Sequence, residues 1–165
     1  MNEFLAEFIN NLPSETKMFA IFIISMVPIV ELRGAIVVAS ILKLSPLPVF
    51  LVSVIGNLLP IPFIILFIKK IFAWMRKVSP KLNGIVDKLE AKAEKNKAKV
   101  LKYAFWGLTL FVAIPLPGTG AWTGALVAAM LDMPLKKAFP SVLVGVIIAG
   151  IIMTFVSYGT VAIFS

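Results

Sequence analysis

The residues able to do chemistry are few, and two of them lie where charge is costly. Glu31 and Arg33 sit in M-V-P-I-V-E-L-R-G-A-I, between apolar runs of 13 residues (18–30) and nine residues (34–42). Either charge alone at the centre of a membrane helix costs about 2.5–3.5 kcal/mol, and neither is near enough to an end to snorkel. Together they can neutralise each other. At i and i+2 they do not face each other on a regular helix, so a break between them, or partners from elsewhere, is required. Asn57 on a later apolar stretch, and Thr119, Trp122 and Thr123 in A-I-P-L-P-G-T-G-A-W-T-G, are the partners available. These six residues suit a polar substrate site near the bilayer midplane. Arg33 attracts an anionic head group, and Glu31 takes up and releases a proton as its surroundings alternate. The plainer alternative is a structural ion pair that pins a hairpin tip. Asn57 has a plainer alternative too, a hydrogen bond to a neighbouring helix worth roughly 0.6 kcal/mol.

Other chemistries are excluded by composition. The 165 residues include no His and no Cys. That removes disulfides, thiolate nucleophiles, zinc–sulfur sites and Ser-His catalysis. The eight carboxylates are scattered, so no calcium- or magnesium-type cluster is expected, and no metal or other cofactor. A membrane hydrolase or transferase would need a nucleophile or metal centre that the chain lacks, so it is not expected to be an enzyme. Hydrophobic residues make up 60% and charged residues 15%, against about 25% charged in globular domains. An integral membrane protein follows. The net charge of +8 lies entirely in residues 69–102, which hold eleven Lys or Arg and three acids. That distribution marks a cytoplasmic loop under the positive-inside rule and argues against nucleic acid as a partner.

Four apolar stretches must position these residues. Met18–Leu42 is interrupted by P-I-V-E-L-R-G, and Tyr103–Leu131 by P-L-P-G-T-G. Val49–Ile68, with Pro60 and Pro62, and Phe139–Phe164 are long enough to span. In the basic segment Leu82, Val86, Leu89 and Ala93 recur at helical spacing, which predicts an amphipathic cytoplasmic helix. Phe4, Leu5, Phe8, Ile9 and Leu12 predict a short interfacial helix at the start. That start is acidic and has no long apolar core before Lys17, so no cleavable signal peptide is expected. Trp74, Trp106, Tyr103 and Tyr158 are read as interface markers, and Gly145 and Gly150 as sites of close helix packing.

The chain carries an internal echo. R-G-A-I-V-V-A (33–39) parallels T-G-A-L-V-A-A (123–129), pairing Gly34 with Gly124. S-P-L-P at 45–48 has a looser counterpart in D-M-P-L at 132–135, and Gly56 and Gly145 follow in the next stretches. The single membrane domain, residues 1–165, then divides into repeat one (18–68), a basic connector (69–102) and repeat two (103–164), each repeat a broken hairpin plus a helix. Charge suggests their orientation. If every stretch spanned, Lys136 and Lys137 would lie outside, against the positive-inside tendency. If the third stretch enters, turns and returns, both lysines stay cytoplasmic. Applied backward, the same logic puts the first hairpin on the outer side. The fold expected is an all-α polytopic membrane protein of two inverted repeats, each a re-entrant helical hairpin followed by a transmembrane helix.

The hairpin breaks themselves are Pro28 and Gly34 in the first stretch, and Pro115, Pro117, Gly118, Gly120 and Gly124 in the second. A turn within the membrane leaves backbone groups unpaired at several kcal/mol each, and is tolerated only inside protein or beside water. Proline removes a donor there and glycine permits the turn. A kinked spanning helix is the simpler alternative.

M-V-P-I-V-E-L-R-G-A-I and A-I-P-L-P-G-T-G-A-W-T-G-A resemble motifs of the small multidrug export family of bacterial and archaeal membrane proteins, over roughly residues 20–160. The layout is more distantly similar to the DedA and VTT-domain membrane proteins. The first resemblance implies export. The second implies paired re-entrant hairpins and the movement or scrambling of lipids, with Glu31 and Arg33 corresponding to an acidic residue and arginine of the first hairpin. The second hairpin here has no arginine or carboxylate at its tip, which departs from that pattern. The expectation is a multi-pass protein of the cytoplasmic membrane that exports small amphipathic or lipid-like substrates with possible proton coupling. A flippase or scramblase and a non-transporting envelope-assembly scaffold are the alternatives. Four elements are few for an enclosed pathway, which favours a homodimer.

Overall fold

The structure, a computed structural model, describes residues 13–78, 83–91, 94, 105–116 and 118–164. Among these every regular element is an α-helix. In chain order they are α1 (Ser14–Met26), α2 (Glu31–Ile41), α3 (Pro46–Leu58), α4 (Ile61–Val78), α5 (residues 83–91), α6 (Phe105–Ala113), α7 (Ala121–Met130) and α8 (Leu135–Phe164). Two segments are long and apolar enough to cross a bilayer: Pro46–Val78, which joins α3 and α4, and Leu135–Ile163. Their outward residues include Phe155 and Leu47, which are 78% and 69% exposed. Such a surface is tolerated in lipid and not in water.

The helix ends follow from local chemistry. Pro46 opens α3 and Pro62 lies in the first turn of α4, where a missing N–H costs nothing. Pro140 lies further inside α8, where the ring forgoes one backbone hydrogen bond. The first apolar stretch breaks at residues 27–30, the third at 114–116 and 118–120. The break in the first falls just before the charged pair. The second stretch is two helices, with a turn at Leu59 and Pro60.

The helices sort into two compact units. The first holds α1, α2, α3 through Asn57, and α8 from Gly150 onward. The second holds Leu58 and α4, then α5, α6, α7 and α8 through Ala149. This division cuts across the sequence repeats. Residues 58–68 pack with the second unit and the end of α8 with the first.

In the first unit α1 packs on α2. A Cβ on Gly56 of α3 would fall on Ser25 Oγ and lie 2.6 Å from the Phe22 carbonyl oxygen of α1. A Cβ on Gly150 would lie 2.8–2.9 Å from Phe50 of α3 and Leu32 of α2. In the second unit α4 and α6 both pack on α7. A Cβ on Gly145 of α8 would lie 2.8 Å from the Thr109 carbonyl oxygen and 2.7 Å from Val112 Cβ of α6. Buried polar groups between α6 and α8 are joined: Ser141 Oγ donates to the Phe105 carbonyl at 2.6 Å, and Thr109 Oγ1 donates to the Ser141 carbonyl at 3.1 Å.

The same turn closes α2 and α7. Lys43 N–H donates to Ser40 O and Leu44 N–H to Ala39 O; Asp132 N–H donates to Ala129 O and Met133 N–H to Ala128 O. These are two Schellman motifs, with Lys43 and Asp132 in left-handed backbone at φ 54° and 52°. The equivalent residues lie 89 apart in the chain, and so do Gly56 and Gly145. The Gly34–Gly124 pairing differs from this register by one residue.

Of the basic segment, α5 buries Val86 and leaves Leu89 partly exposed. Arg76 of α4 pairs with Asp87 at 2.7 Å and Glu90 at 2.8 Å. Leu82, Ala93, Tyr103 and the expected N-terminal helix lie outside the described residues.

Candidate functional site

Glu31 opens α2, and the departure from helical backbone falls on Glu31 itself, with φ 52°. The pair thus sits in the first turn of α2 with irregular backbone at its first member. Glu31 is 4% exposed. Arg33, in the first turn of α2, is half-buried, and the Glu31 charge acts on it. Pro28 and Ile29 form the exposed tip of the break, Ile29 at φ 81°. Gly34 donates its N–H to the Val30 carbonyl at 2.9 Å, and a Cβ there would collide with Val30 Cγ1. Asn57 lies on a buried stripe of α3 with Val49, Ser53 and Gly56. Glu31, Arg33 and Asn57 all belong to the first unit.

Thr119, Trp122 and Thr123 belong to the second unit. Thr119 does structural work. Its hydroxyl lies 2.8 Å from both the Ile114 and the Leu116 carbonyl oxygens, which also accept the backbone N–H groups of Leu116 and Thr119 just past the end of α6. Gly118 and Gly120 have φ of 86° and 134°, which an L side chain rarely adopts. Gly124 is buried against α6, where a Cβ would lie 2.5 Å from Val112 Cγ2. Pro115 is exposed, Thr123 is half-buried, and Pro117 lies outside the described residues.

Trp122 lines a cavity of about 710 Å³ with residues 59–74. Its α4 wall carries Phe63, Phe67, Ile71 and Trp74, with Lys70 as the one charged lining residue. Lys70 Nζ lies 5.8 Å from the centroid of the Phe67 ring, within cation–π range. The volume lies within the roughly 300–1,000 Å³ of small-molecule sites. The sequence reading singled out Trp122 but not the α4 wall. The signal was present: residues 63, 67, 71 and 74 recur at helical spacing and place three aromatic rings on one face. Among the described residues no group of carboxylates could hold a metal ion.

A family model described as "Putative small multi-drug export protein" matches residues 31–152, which take in the charged pair, both Schellman turns and the cavity. No curated protein and no solved structure matches the sequence.

Proposed function

The chain belongs to the family described as "Putative small multi-drug export protein", and on that premise we propose that it exports small amphipathic anions through the cytoplasmic membrane. The observation that carries this reading is the open apolar cavity of the second unit, lined by Trp122, the α4 aromatics and the aliphatic stem of Lys70, whose ammonium lies 5.8 Å from the Phe67 ring centroid. An apolar body gains about 25 cal/mol for each Å² it removes from water. Lys70 then favours a carboxylate, sulfonate or phosphate at its end and disfavours lipophilic cations. Free lipophilic anions and lipid phosphates share that chemistry.

The two breaks are read as re-entrant hairpins of inverted repeats. Support comes from the matching Schellman turns and from the matching glycine contacts of Gly56 and Gly145. Glu31, buried at a strained backbone position beside Arg33, is read as the proton-coupling group.

The test uses protein in nanodiscs. Anilinonaphthalene sulfonate and a lipophilic cation of equal size are titrated separately, followed by flux of each into proteoliposomes. The anion binds more tightly, Trp122→Ala weakens it, and Lys70→Gln weakens it about five-fold, the worth of roughly 1 kcal/mol. Equal affinity for both probes, unchanged by Lys70→Gln, would refute the anion assignment. Binding without flux would favour a scaffold. Accumulation of a labelled lipid phosphate, but not of the free anion, would identify a lipid mover.

A further inference from the structure

Ser53 and Asn57 are both completely buried, and neither the Ser53 hydroxyl nor either amide atom of Asn57 has a hydrogen-bond partner. They lie one helical turn apart on the same stripe of α3. The plainer role for Asn57, a hydrogen bond to a neighbouring helix, is therefore not filled. A second copy of the chain cannot fill it either, because the side chain presents no surface. A buried amide left dry would cost about 1–3 kcal/mol, and a buried hydroxyl adds to that.

The orphaned atoms are concentrated. Ser157 Oγ and Tyr158 Oη, in the part of α8 that belongs to the same unit, are also buried with no partner. In the second unit Asn83 Oδ1 is also buried with no partner, while the buried Thr109 and Ser141 hydroxyls are engaged.

Spacing selects the occupant. Side chains at i and i+4 lie on one helix face with Cβ atoms about 5–6 Å apart. The hydroxyl and amide atoms beyond them are then neighbours, and a water, which makes 2–4 hydrogen bonds of about 2.8–2.9 Å, is the small polar partner that suits both. Ser53 and Asn57 offer neutral donors and acceptors, and no charged residue lies between Lys43 and Lys69 in the chain. Neutral groups of this kind suit water rather than an ion. Asn57 is eleven residues from the start of α3 at Pro46, or about 16 Å along the axis at 1.5 Å per residue. That is the middle of a hydrocarbon layer about 30 Å thick.

We infer that Ser53 and Asn57 hold water inside the first unit, forming a hydrated site at mid-depth in the membrane. Water there keeps the unit polar enough to solvate a charge or pass a proton at the level where lipid offers neither. The inference does not depend on what the chain exports.

The pair is tested by a double-mutant cycle in the full chain, with thermal midpoints read in nanodiscs. Ser53→Ala and Asn57→Leu each remove one partner of the bridging water, so each single variant should melt about 2–4 °C below wild type, and the double variant should recover part of the summed loss. Leu51→Ala, on the exposed side of the same helix, is the packing control and should show no coupling to Asn57→Leu. A dry pair behaves in the opposite way: Ser53→Ala melts above wild type, because it removes an orphaned hydroxyl, and the two substitutions add. Ser53→Ala at or above wild type, or strict additivity of the pair, overturns the inference.

Discussion

Gly56→Ala offers the sharpest test of the packing, because two effects of opposite sign compete. Replacing glycine by alanine inside a helix gains about 1 kcal/mol of propensity. At Gly159 of α8 a Cβ meets nothing within 4 Å, so Gly159→Ala should show that gain undiminished. At Gly56 the Cβ falls on Ser25 Oγ and 2.6 Å from the Phe22 carbonyl oxygen, where ordinary contact begins at 3.4 Å. The side-chain hydroxyl can rotate away. The backbone carbonyl cannot, so α1 and α3 must separate by the remaining 0.8 Å, the difference between those two distances. Overpacking of this kind costs about 1–3 kcal/mol, which leaves Gly56→Ala destabilised by about 1 kcal/mol after the propensity gain. For a chain of 150–250 residues each kcal/mol moves the thermal midpoint by about 2–4 °C. Thermal unfolding of purified protein, followed by tryptophan fluorescence, should place Gly159→Ala above wild type and Gly56→Ala below it. Ser25→Ala in the Gly56→Ala background should recover only part of the loss. If Gly56→Ala is stabilised as much as Gly159→Ala, α1 and α3 do not meet as described. Gly145→Ala faces the same kind of obstacle at the Thr109 carbonyl, and should match Gly56→Ala in sign and size.

Three further outcomes are expected from the same thermal assay. Ile29→Gly should stabilise by about 1 kcal/mol, since a β-branched residue at φ 81° with 98% exposure loses strain and no packing; an unchanged midpoint would mean that the tip is relaxed. Thr119→Val should cost about 1 kcal/mol, because the Ile114 and Leu116 carbonyls keep their backbone N–H partners and lose only the shared hydroxyl, while Thr119→Ser should retain most of the stability. Lys69→Ala should change stability by less than about 1 kcal/mol despite its 2.6 Å pair with Asp132, because both side chains are largely exposed; a larger loss would place that pair in a drier setting.

Much of the architecture is legible in the residues themselves. Apolar runs of membrane length and a +8 charge confined to 69–102 identify a membrane protein by composition alone. Clustered proline and glycine mark the interruptions, because a missing donor and a φ open only to glycine are local properties. The structure places irregular backbone at residues 27–30, 114–116 and 118–120. Gly56, Gly145 and Gly150 similarly announce close packing, since only a missing side chain lets backbones approach.

Tertiary structure decided what depends on neighbours distant in sequence. Thr119 read as a ligand for substrate, yet its hydroxyl serves the end of α6, which depends on how the chain turns after Ile114. Trp122 gained an apolar cavity only when α7 packed on α4 and brought Phe63 and Phe67 to it. Asn57 reads as a partner in the polar site, with a hydrogen bond to a neighbouring helix as the plainer alternative, and folding encloses it with neither amide atom hydrogen-bonded. Residue type and spacing determine where a chain can break, span or carry charge, because those costs are paid locally against lipid and water. Which polar group finds a partner, and which apolar face is left open, depends on the side chains opposite, and only the packed structure brings those together.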